Sequence, residues 1–78
     1  MPTLDCELTD TFGGEANYSW VRRESVTLPD GATDRQLVIA GKAALGLTGT
    51  RCRTFNHGDT WELRPIGACV VAFLSIRY

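Results

Sequence analysis

The residues of this chain that could do chemistry are few and poorly grouped. A nucleophile needs a base and an orienting carboxylate within reach. Only Cys52 or Cys69 with His57 and Asp59 could supply such a set, and His57 sits in "NHGD", which reads as the polar tip of a hairpin. Asp5, Glu7 and Glu62 could pair for acid–base work. On outward strand positions, however, they are solvated and lack the burial that shifts a carboxyl pKa. "GKAALGLTGT" lacks the GxxxxGK[ST] order of a phosphate loop, and its lysine falls within a helix. Cys6, Cys52 and Cys69 are odd in number, with no CxxC and no second histidine, which disfavours a disulfide framework and a zinc site alike. They read as small buried hydrophobes. No catalytic residue, metal ligand or cofactor is expected.

Binding chemistry is better supplied, and it divides along the chain. Residues 1–34 carry Asp5, Glu7, Asp10, Glu15, Glu24, Asp30 and Asp34 against Arg22 and Arg23, a net −5. Residues 35–78 carry Arg35, Lys42, Arg51, Arg53, Arg64 and Arg77 against Asp59 and Glu62, a net +4. Such asymmetry points to an electrostatic partner; the competing reading is that the two parts neutralise each other across the fold. The acidic part proposes Asp5, Glu7, Asp10, Glu15 and Asn17 as contacts to a basic protein surface. Outward residues of one strand recur at roughly 6.6–6.8 Å, whereas a DNA strand carries a charge at roughly every 3.4 Å. A single strand is thus too dilute to copy a duplex, and several elements or two subunits would have to combine. The basic part proposes the alternative, a nucleic-acid surface of Arg22, Arg23, Arg51, Arg53 and Arg64, with Phe55 and Trp61 close by.

The elements that hold these residues follow from periodicity. "TLDCELTDTF" alternates, with Leu4, Cys6, Leu8 and Phe12 on a buried face and Thr3, Asp5, Glu7, Thr9 and Thr11 on a wet one. "GGEAN" reads as a turn, and "YSWVRRESVTL" as the returning strand. There Tyr18, Trp20, Val26 and Leu28 share the core parity, and either a bulge at "RRE" or a strand extending past the core explains the interruption by Arg22 and Glu24. Thr33 and Gln36 form a capping box that opens a helix, "DRQLVIAGKAALG", with Leu37, Ala40, Gly41, Ala44 and Leu45 on one stripe. Gly41 serves a close approach, and Gly46 suits the left-handed turn past the helix end. "TRCRTFN", "TWELRP" and "CVVAFLSIRY" complete a three-stranded meander. The expectation is one α+β domain over residues 1–78, β-β-α-β-β-β, a mostly antiparallel sheet with the helix on one face. Apolar residues at both parities of the last strand predict cover on both faces, for which a second copy of the chain, a homodimer, would serve. No run approaches the roughly 20 apolar residues of a membrane span, and the start lacks the pattern of a signal peptide.

Taken together, "TFGGEANYSWVRR", "TDRQLVIAGKAALGLTG" and "RCRTFNHGDTWELRP" resemble segments of small uncharacterised proteins of bacteriophages and prophages. The resemblance carries no catalytic motif. It implies phage origin and a short accessory role in the cytoplasm of a host bacterial cell. Small phage proteins without enzymatic signatures include inhibitors of host machinery, anti-CRISPR proteins among them. It thereby favours a non-enzymatic inhibitor that docks on a host protein or ribonucleoprotein complex and occludes DNA binding. The remaining alternatives are the nucleic-acid-binding module and a structural accessory of the phage particle.

Overall fold

The structure, a computed structural model, describes residues Met1–Tyr78. The elements follow the expected order: β1 (Thr3–Phe12), β2 (Glu15–Thr27), α1 (Asp34–Ala44), β3 (Cys52–Asn56), β4 (Thr60–Pro65) and β5 (Val70–Arg77). They form one antiparallel sheet in the order β2-β1-β5-β4-β3, with the single helix on one face. The fold is α+β. The most apolar strand, β5, lies at the centre, as its composition requires.

Cross-strand register sorts the residues into two faces. Leu4, Cys6 and Leu8 of β1 stand beside Ile76, Leu74 and Ala72 of β5, which in turn neighbour Trp61 and Leu63 of β4. These side chains, with Leu28, Leu37 and Leu45, make the core beneath α1. Gly41 is where the helix comes closest: a Cβ there would lie 2.5 Å from Leu74 Cδ1. Both helix ends are formed as the sequence predicts. Thr33 Oγ1 accepts the Gln36 amide and Gln36 Oε1 accepts the Thr33 amide. At the other end the Leu47 amide donates to Lys42 O and Gly46 N to Ala43 O, with Gly46 at φ +73°. No helix is long and apolar enough to cross a membrane.

The β1–β2 hairpin departs from expectation. The turn is only Gly13–Gly14, at φ +61° and +85°, the pair of positive values that a tight two-residue hairpin needs. No bulge interrupts "RRE". Arg22 and Glu24 stay in register opposite Leu8 and Cys6, so both share the helix side at the sheet edge. There Arg22 NH2 donates to Ala44 O at 3.3 Å, meeting the negative end of α1, and its Nε pairs with Glu24 at 3.4 Å. The irregularity lies four residues earlier. Between the pairs Thr9–Val21 and Thr11–Ala16, Asn17 to Trp20 face Asp10 alone. This large bulge turns Tyr18 and Trp20 out of the core; they are about half exposed. Phe12, beyond the bulge at the hairpin tip, is 81% exposed rather than buried.

Candidate functional site

The face away from α1 is open, and every strand contributes to it. One row runs across all five: Phe55, Glu62, Phe73, Glu7 and Arg23, each residue directly beside the next. The flanking rows hold Asp5, Ser25 and Ser75 on one side and Arg53, Arg64 and Thr9 on the other. Asp5, Glu7, Arg23, Ser25, Phe73 and Ser75 line a shallow depression of about 290 Å³.

The acidic residues do stand outward on this face, as expected, but none of the three carboxylates on it is free. Asp5 accepts two bonds from Arg77, at 3.0 and 3.2 Å, and one from Ser25 Oγ at 3.0 Å. These partners hold its pKa below the ordinary value, Arg77 most strongly. Glu7 pairs with Arg23 at 3.2 Å. Glu62 is bonded by Arg64 and, at 3.3 Å, meets His57; both lower its pKa, Arg64 more. Asp5, Glu7 and Glu62 therefore share the face with Arg23, Arg53, Arg64 and Arg77, which leaves it slightly positive. Of the side-chain ion pairs, only Asp5–Arg77 joins the acid-rich part of the chain to the base-rich part.

Asp10 and Asn17, expected as contacts, are instead tied to each other. The Asp10 carboxylate accepts Asn17 Nδ2 at 3.0 Å, the Ser19 amide at 3.0 Å and Ser19 Oγ at 2.5 Å. Hydrogen bonds from Ser19 first and Asn17 second lower its pKa to about 2. Beside it Thr9, fully buried, donates to Trp20 O and accepts the Tyr18 amide. The two side chains hold the bulge, and they hold Tyr18 at φ +56°, a left-handed conformation that costs a bulky residue roughly 1–3 kcal/mol. Desolvation first and then the Glu7 carboxylate raise the Tyr18 phenol above its ordinary pKa. Sequence periodicity assigned Tyr18 to the core, because its parity matches Val26 and the extra bulge residues leave no local signal.

The arginines divide in the same way. Arg22 and Arg23 are engaged as described. Arg64 donates through Nε to Glu62 and through NH1 to Gly14 O at 2.6 Å, which links β4 to the hairpin turn. Arg51 and Arg53 have no acceptor in the fold; both are exposed, at the sheet edge formed by β3, with Phe55 two residues on. Of the acidic set only Glu15, exposed beside the turn, lacks a partner. The structure thus brings Arg53 and Arg64 together, sets Arg51 on the same edge, and leaves Arg22 on the opposite face.

His57 meets Glu62 rather than a thiol, and two of the cysteines expected to be buried are not: Cys52 in β3 is half-buried and Cys69 before β5 is exposed. Cys6 is buried, and desolvation pushes its thiol up to about 11. No group of three or more His, Cys, Asp or Glu side chains converges as a metal site would require. No family model, curated protein or solved structure matches the chain.

Proposed function

We propose that the chain is a non-enzymatic binding module that takes a single strand of nucleic acid across its open sheet face. The observation that carries this reading is the pairing pattern: the carboxylates of that face are each held by internal donors, while Arg51 and Arg53 are left without acceptors. Rings stand in the same surface, with Phe73 half-buried at its centre and Phe55 at its edge, and Tyr18 is half exposed in the bulge of β2. Stacking on aromatic rings with phosphates drawn to arginines is the common chemistry of strand binding.

An acidic decoy is disfavoured by the same pattern, since Asp5 and Glu7 have guanidinium partners of their own. The inhibitor role implied by the phage-like stretches then acts inside the host by withholding a strand, or the exposed RNA of a ribonucleoprotein, from the machinery that handles it. The homodimer that the sequence leads one to expect over this face would have less to bury there, because Val71 is already fully buried.

Fluorescence anisotropy with single- and double-stranded DNA and RNA at low salt tests the reading. Micromolar binding of single strands, weakening with salt, is expected. Two phosphate contacts give a log–log slope of roughly −1.4. Absence of binding at low salt would sink it.

A further inference from the structure

At the end of the open face near the hairpin turn, a groove of about 340 Å³ separates the turn from the β4–β5 connection. Arg53 and Arg64 line it with Gly14, Gly67 and Ala68, and no carboxylate does. The depression at the centre of the sheet differs: Asp5, Glu7 and Glu24 line it with a single arginine, Arg23.

We infer that this groove seats one phosphate group, bridged by Arg53 and Arg64. Three observations carry the inference. Arg53 and Arg64 are directly opposite each other on neighbouring strands, close enough for one anion to meet both guanidinium groups. Arg64 is already oriented, because its Nε is bound to Glu62 and its NH1 to Gly14 O, and a guanidinium has five N–H donors. Three donors remain on a fixed plane, and all five of Arg53 are unused. The Gly67 amide, in a turn where Gly67 has φ +83°, makes no hydrogen bond within the fold and adds a neutral donor at the groove wall. Fixed guanidinium planes favour tetrahedral oxyanions with paired oxygens over a chloride ion. The inference rests on the strand-binding reading and names where one phosphate of that strand is held.

Amide chemical-shift titration of the full chain with inorganic phosphate, against sodium chloride at matched ionic strength, tests it. Saturable shifts at Gly14, Gly67 and Ala68 are expected with phosphate only, and Arg53→Gln should weaken them roughly tenfold, as befits a lost charge-assisted bond. Arg53 is exposed and unpaired, so that variant folds; Arg64→Lys, which keeps the charge but loses the fork, should weaken phosphate while retaining a native spectrum. Equal shifts with chloride, or an unchanged affinity in Arg53→Gln, overturn the inference. The two readings fail separately. Oligonucleotide binding without a phosphate response removes only the seat, whereas a phosphate response without oligonucleotide binding removes the strand and leaves an oxyanion site.

Discussion

Asp5 and Arg77, 72 positions apart in the chain, meet through two hydrogen bonds on the open face. Each shifts the other: Arg77 lowers the Asp5 pKa and Asp5 raises that of Arg77. A carboxylate so matched has little attraction left for a basic partner. Asp5→Asn should therefore strengthen oligonucleotide binding, most clearly at low salt, with a small loss of Tm. Weaker binding in that variant would restore Asp5 as a contact.

The unpartnered arginines give the opposite result. Arg51→Gln and Arg53→Gln should each reduce the salt slope of strand binding by about 0.7, with thermal melting unchanged. Anisotropy at several salt concentrations reads this directly. A slope that stays constant would mean the strand takes another path.

Thr9 is the buried post of the β2 bulge. Thr9→Val keeps the shape but strands the Tyr18 amide and the Trp20 carbonyl, at a cost of about 1–3 kcal/mol. Chemical denaturation measures that loss, and amide exchange should locate it in residues 16–21. A second consequence is expected in binding, because the half-exposed Tyr18 is released from the bulge that Thr9 holds.

Asp10 makes the hairpin sensitive to acid. Its folded pKa, about 2, lies below the ordinary 3.8, so its contribution is complete above the unfolded value and is lost as pH falls through the folded one. Melting between pH 5 and 2 should show the loss, and Asp10→Asn should flatten that part of the profile (a test that also isolates Asp10 from Asp5).

Gly41 and Leu74 should be energetically coupled. An alanine at 41 gains roughly 1 kcal/mol of helix propensity but drives its Cβ into the fully buried Leu74. Gly41→Ala should destabilise on balance, by about 1–3 kcal/mol. In the background of Leu74→Ala the same substitution should become neutral or stabilising, and a double-mutant cycle measures the difference.

Much of this architecture was legible in the residues. The alternation of β1 from Leu4 to Leu8, the Thr33–Gln36 box, the Gly46 stop and the close approach at Gly41 are local signals, and each is found where it was read; past Leu8 the alternation fails, with Thr9 buried and Phe12 exposed. The site was less legible. The Asn17–Trp20 bulge is hidden because its apolar residues happen to keep the core parity, and only the Thr9 and Asp10 side chains across the ladder make it stable. Likewise the acidic row looked free because its guanidinium partners come from strands whose neighbours depend on register. Arg77 reaches Asp5 only once β5 lies beside β1.

That placement of β5 has a further effect on how the molecule comes to be. The first strand is flanked by the second and by the last, so half of its ladder waits for residues more than sixty positions downstream. Bringing such distant segments together costs loop entropy before any contact rewards it, which slows assembly relative to a helical protein of equal size. Until Ala72 and Leu74 arrive, α1 can pack only on the early hairpin, and the edge of β1 that β5 will cover keeps its backbone groups unpaired.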